Sequence, residues 1–268
     1  ALTGGACSPN TIHWSDDTNA LAKGTTFAAV KSGYKSWYFI SVDFVFGHML
    51  ENAARKVIET NGGKFLGSVR VPINTSDYSS FVLQAQASKA QVVGLNVVGS
   101  DFINAVRQAS EFGLVAGGQK LLGFLVYVSD IHSLGLKSTQ GLLVTESFYW
   151  DTNEKTRAFA KRFMAVRKVM PTKVHAMNYV AVTHYLNAVK ATGSKDAAKT
   201  VAWMKRHPTD FFGQRARIRA DGRVMFDLYQ VKAPKESKYP WDYYEKITSL
   251  KGENAFGAML DKCNFMKK

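Results

Sequence analysis

An α/β fold organised around a doubly wound parallel sheet is what this 268-residue sequence predicts. Two patterns carry the expectation. Between Ser36 and Thr145, short aromatic or β-branched runs alternate with stretches of helical period, the rhythm of parallel strands joined by helical crossovers. Beyond Phe148–Asp151 three helical stretches follow one another with no strand between them, so the chain enters a second body there. Ligands of doubly wound sheets bind beyond the carboxyl ends of the strands, and candidate residues are sought there.

The elements follow in order. Ser36-Trp37-Tyr38-Phe39-Ile40-Ser41-Val42 suits a buried strand, and Met49, Leu50, Ala53, Ala54, Val57 and Ile58 recur at helical spacing before the stop Asn61-Gly62-Gly63. The unit repeats with a strand over 64–71, a turn through Pro72 to Ser76, and a helix over 79–88 for which Asp77 can cap free N–H groups. A strand over 91–98 leads to a helix over 101–112 closed by Gly113, and 121–126 and 142–145 add two more strands. Then come helices over 154–169, 174–192 and 195–207. A hairpin follows, with strands 215–219 and 224–231 about the turn Ala220-Asp221-Gly222, and Pro234 to Pro240 reads as an exposed connection.

Composition narrows the class. With 46% hydrophobic residues the chain can build two cores, and no run is long and apolar enough to span a bilayer. The first residues lack the basic and apolar regions of a signal peptide, which leaves a removed signal or a chain that was never exported. The 35 Lys+Arg against 21 Asp+Glu give +14, but the basic residues are scattered and lack aromatic interleaving, so a solvated surface is expected and no nucleic-acid partner. Cys7 and Cys263 stand near opposite ends, and spacing alone leaves a bridge and two buried thiols equally open.

Catalytic templates fail. There is no phosphate-binding Gly-rich loop, dinucleotide fingerprint, nucleophile elbow or metal-ligand spacing, and the six histidines read as surface or core-edge residues. Asp43, Asp101 and Asp130 sit where strand ends converge, though capping explains single aspartates as well. Binding without turnover is expected, with no cofactor and no metal.

Five segments in register resemble a known family: the opening 1–14, Asp43-Phe44-Val45-Phe46-Gly47, Thr75-Ser76-Asp77-Tyr78-Ser79-Ser80-Phe81, Arg107-Gln108-Ala109-Ser110-Glu111-Phe112-Gly113, and Gln140-Gly141-Leu142-Leu143-Val144-Thr145. The sequence resembles the type I periplasmic binding proteins, specifically the Leu/Ile/Val-binding-like solute receptors of branched-chain amino-acid ABC transporters. The resemblance implies two Rossmann-like lobes joined by three crossovers, a small-molecule ligand trapped by lobe closure, a membrane permease as partner, and a periplasmic location. It puts crossovers near 16–20, 148–151 and 217–221. Residues 1–19 and 151–216 then belong to the first lobe, 20–148 and 222–232 to the second, and 233–268 is a tail returning across the hinge. That course brings Cys7 and Cys263 together as a disulfide. Family members open with a βαβα stretch of roughly 100 residues that this chain does not show, so the first lobe is expected to be incomplete here.

Position by position, the resemblance makes Phe46 an aromatic against the ligand, Val98, Gly99, Ser100 and Asp101 the strand-end loop beside it, and Trp150, His175 and Asn178 cleft-facing groups of the other lobe. Tyr127 stands near the place of the acidic residue that pairs with a ligand ammonium, and no Asp or Glu is present there. The expected ligand is therefore a small organic acid, an aromatic carboxylate. The alternatives are an amino-acid receptor of the same family and the ligand-sensing core of a LacI-like regulator.

Overall fold

The computed structural model describes residues 3, 6–257, 263 and 265, the side chain of residue 28 excepted. The chain divides into two units: Ala1–Asp16, Ser147–Asp227 and Lys251–Lys268 make unit 1, and Asp17–Glu146 with Leu228–Leu250 make unit 2.

Unit 2 begins with α1 (Thr18–Lys31), then β1 (Ser36–Val42), α2 (Val45–Thr60), β2 (Lys64–Val71), α3 (Ser79–Ala87), β3 (Val92–Asn96) and α4 (Ser100–Glu111). It continues with β4 (Lys120–Gly123), the short helices α5 (Val128–Leu134) and α6 (Leu136–Thr139), and β5 (Leu143–Glu146). Unit 1 holds α7 (Glu154–Arg167), α8 (Lys173–Thr192), α9 (Ala197–Arg206), β6 (Thr209–Phe211), β7 (Gln214–Ile218) and β8 (Val224–Met225). The chain then gives β9 (Leu228–Lys232) and β10 (Glu245–Leu250) to unit 2 and returns to unit 1 through α10 (Gly252–Ala255).

The sheet of unit 2 has the order β10-β9-β5-β4-β3-β1-β2. β1 to β5 pair in parallel, and β9 runs antiparallel to both β5 and β10. On one face, Trp37 and Phe39 of β1 meet Leu50, Ala54 and Ile58 of α2, Leu21, Ala22, Ala29 and Val30 of α1, and Leu122 and Phe124. Gly94 on β3 is needed for this packing. A Cβ there would stand 2.6 Å from the Phe39 ring and 3.1 Å from that of Phe124, both fully buried and unable to give way. Unit 1 has the three-stranded antiparallel sheet β6-β7-β8. Asp16, where its first segment ends, pairs with the buried Lys173 at 3.3 Å.

Several boundaries depart from the sequence expectation. The strand expected over 224–231 is two strands in two units, because Asp227 turns the chain. Its N–H donates to Gln214 Oε1, and its carboxylate accepts from Lys251 Nζ at 2.8 Å and Gly252 N at 3.0 Å, so the exit and return of the chain are tied at one side chain. The third division thus falls after Asp227 rather than at 217–221. The tail expected over 233–268 instead leaves β10 in unit 2 before it returns. Residues 17–19 fall in unit 2 and 147–150 in unit 1, shifts of a few residues from the expected lobes. The strand over 121–126 stops at Gly123, where the chain turns toward α5, and the strand over 91–98 stops at Asn96.

Cys7 and Cys263 form a disulfide, with Cα atoms 5.6 Å apart and a sequence separation of 256. Closing so long a loop restricts the unfolded chain, and by the chain-entropy relation reduction is expected to cost about 5.5 kcal/mol. Urea unfolding with and without dithiothreitol measures this; an unchanged midpoint would show that the bridge constrains little.

Candidate functional site

The carboxyl ends of the adjacent strands β4, β3 and β1 carry the candidates of unit 2. Phe46 lies in the first turn of α2, directly after β1, half-buried against the aromatic core. Gly47 permits this abrupt start: a Cβ there would lie 2.2 Å from the Val42 carbonyl oxygen. Val98 and Gly99, between β3 and α4, and Ser100, the first residue of α4, are exposed, with Gly99 at φ +60° turning the chain into the helix. Tyr127, half-buried, follows β4 at the start of α5. One edge of one sheet therefore gathers these candidates.

The three aspartates at this edge each have a local partner. Asp101 is buried, 5% exposed, and its Oδ2 accepts the N–H of Asn74, a residue held at φ +63°. Asp130 Oδ2 accepts the Tyr127 N–H at 2.9 Å and closes the first turn of α5. Asp43 is exposed and pairs with His48 Nε2 at 2.8 Å. Asp77 accepts from the N–H and hydroxyl of Ser79 at the start of α3, the capping role expected of it.

The remaining candidates lie in unit 1. Trp150 is half-buried, its ring edge-on to Tyr149 with centroids 5.9 Å apart. His175 and Asn178 are exposed on the first two turns of α8, and both are bonded locally. His175 Nδ1 accepts the Thr172 N–H at 3.0 Å, capping the helix, and Asn178 Nδ2 donates to the Val174 carbonyl. Burial and the nearby Arg167 guanidinium hold His175 below the usual imidazole pKa, as this capping requires.

Three other histidines serve packing. His132 stacks on Trp241 at 3.8 Å, His207 on Trp203 at 4.1 Å, and His184 is buried with Nε2 3.2 Å from the Met204 carbonyl. Among the described residues no group of three or more His, Cys, Asp or Glu is placed to hold a metal ion, and no helix is long and apolar enough to cross a membrane. Sequence reading missed Glu51, whose buried carboxylate binds groups on β1 and β2. Its signal was an acidic residue on the same helix face as Gly47, Leu50, Ala54 and Ile58.

An open, mostly parallel sheet presenting aromatic and small polar side chains at its carboxyl edge has the form of a ligand-binding module. The chain belongs to the periplasmic binding protein family, whose model matches residues 1–238. A periplasmic binding protein from Burkholderia mallei is 46% identical, with a TM-score of 0.91 over 96% of this chain and 68% of that one. A branched-chain amino acid ABC transporter periplasmic ligand-binding protein from Burkholderia xenovorans LB400 is 36% identical, with a TM-score of 0.88 over 98% and 72%. A solute binding protein from R. palustris, solved with benzoate, shares the fold at 16% identity, with a TM-score of 0.82 over 94% and 70%. The curated Leu/Ile/Val-binding protein homolog 6 of Brucella melitensis is 26% identical over 208 residues, 74% of this chain. The chain spans about half, 52%, of that relative's length.

The histidines of unit 1 make its stability depend on pH. Burial pushes the His184 pKa below the ordinary value; the Met204 carbonyl acts in the opposite sense, and His207 adds to the lowering. The native state keeps the neutral ring while the unfolded chain takes up a proton near pH 6.5. The contribution is complete above about pH 6.5 and is lost as pH falls from there through the folded pKa. The urea midpoint is expected to drop between pH 7.5 and 5, with a shallower slope in His184→Gln; equal slopes would refute this origin.

Proposed function

We propose that this chain is a solute-binding receptor of an ABC importer, acting outside the cytoplasm, and that its ligand is a small organic acid, an aromatic carboxylate in preference to an amino acid. The observation that supports the ligand class is that each strand-end aspartate named above already accepts from a neighbour through one oxygen, with Asp101 Oδ1 buried and without a partner among the described residues. An α-amino acid brings an ammonium whose burial without a carboxylate partner costs several kcal/mol. Asp101, the strongest competitor for that role, is drawn into the fold by Asn74, and Tyr127 stands where an acidic partner is expected.

In this reading Phe46 and Tyr127 of unit 2 offer flat apolar surface. Val98 and Gly99 shape the turn, and Ser100, at the start of the twelve-residue α4, supplies a polar contact. The net charge of +14 favours an anion in a general way. The partner is a membrane permease. One observation favours the amino-acid alternative: the name of the 36% identical Burkholderia xenovorans protein.

A thermal-shift panel separates the two. Benzoate and cinnamate in large excess are expected to stabilise the protein by roughly 3 to 4 kcal/mol, and leucine, valine and phenylalanine far less. The reverse order would overturn the ligand class and leave the receptor reading in place. Phe46→Ala is expected to weaken binding about tenfold by calorimetry, the loss of one well-packed aromatic contact.

A further inference from the structure

A buried polar chain lies at the strand ends that carry Phe46 and the Val98–Asp101 turn. Glu51, in the second turn of α2, has a side chain 7% exposed. Its Oε2 accepts the Ser41 hydroxyl of β1 at 2.6 Å, and its Oε1 accepts Ser68 Oγ at 3.0 Å and Arg70 Nη2 at 2.8 Å, both from β2. Ser41 Oγ in turn accepts from Asn96 Nδ2, on β3, at 2.9 Å. The direction of every bond follows from the carboxylate, which only accepts. Ser41 spends its single proton on Glu51, so Asn96 must present its NH2 group, and its Oδ1 is left buried without a partner among the described residues.

We propose that Glu51 is the positioning residue of the strand-end site, setting the separation between Phe46 and the Val98–Asp101 turn. The rest of α2 packs through Leu50, Ala54 and Ile58, and such apolar contacts fix the depth of a helix better than its position along the sheet. Hydrogen bonds are directional, and a buried carboxylate with three donors tolerates little displacement. Glu51 thereby locks α2 to β1 and β2 directly and to β3 through Ser41. Phe46 lies five residues before Glu51 on the same helix, and Val98 two residues beyond Asn96. Binding groups must be held to about 0.5 Å, so loosening this lock changes affinity without touching the ligand. The inference rests on the reading that Phe46 and this turn meet the ligand.

In Glu51→Gln an N–H faces Ser41 in place of an acceptor, the Ser41 proton turns toward Asn96, and the Asn96 amide inverts. Calorimetric binding of benzoate and of leucine is measured for the wild type, Glu51→Gln, Phe46→Ala and the double variant, each checked for native circular dichroism. For the acid that the wild type binds, Glu51→Gln is expected to lower affinity about tenfold, with almost no further loss in the Phe46→Ala background. The Asn96 side-chain amide resonances shift with it. Unchanged affinity in folded Glu51→Gln, or losses that multiply in the double variant, would overturn the proposal. Should Glu51→Gln fail to fold, Ser41→Ala, which keeps the Arg70–Glu51 pair, carries the same test with the same two outcomes. Wild-type affinity retained in Phe46→Ala, or no binding of either acid, defeats the site reading itself and the proposal with it.

Discussion

The approach of Phe39 to Phe124 across the bare backbone of Gly94 sets the geometry on which the larger sheet depends. The ring centroids lie 5.7 Å apart, edge to face, and Phe65 of β2 closes on Phe39 from the other side at 5.4 Å. A parallel sheet is stable only with both faces covered, and this aromatic seam is the surface that α1 and α2 cover. β1, β3 and β4 are drawn together by it, so their carboxyl ends lie side by side. The candidate site at those ends is a consequence of packing several residues deeper.

Above that seam the character of the sheet changes over two residues. Phe39 is followed on the same face by Ser41, and Gly94 by Asn96, so the last layer before the strand ends is polar. Glu51 reaches this layer from α2 by accepting the Ser41 hydroxyl, to which Asn96 in turn donates, and a polar layer whose bonds are directional specifies one arrangement where an apolar one would allow several. The strand-end aspartates work in the same way. Asp130 accepts the Tyr127 N–H and shapes the turn that bears it, and Asp101 accepts the N–H of Asn74 in the turn after β2.

Chain crossings are handled by short-range ties. Asp227 holds the outgoing strand to the returning Lys251–Gly252, Asp16 meets Lys173, and Cys7 is bridged to Cys263, all inside unit 1. Each tie joins segments far apart in sequence, so unit 1 gains more from cross-links than its three-stranded sheet alone would provide.

By itself the sequence determined the alternation of strand and helix from Ser36 to Thr145, the three consecutive helices after it, and the family to which the chain belongs. These are local or pairwise signals: periods of two and 3.6 residues, a glycine after a helix, an aspartate before one. α1 was not legible, since Thr-, Ala- and Gly-rich positions give it no clear apolar stripe. β10 was not either, because nearly all of its residues are exposed and show no alternation. Among the candidates, Phe46, the 98–101 turn and Tyr127 came from the family resemblance, position by position, and the sheet brings them to one edge. Their partners were not legible: that Asp101 is claimed by Asn74, and Glu51 by three side chains on two strands, depends on distances across the fold. Tertiary structure alone decided these matters, because a carboxylate reads the same in a sequence whether it faces a ligand or a buried backbone N–H, and only the packing of distant segments determines which donor reaches it first.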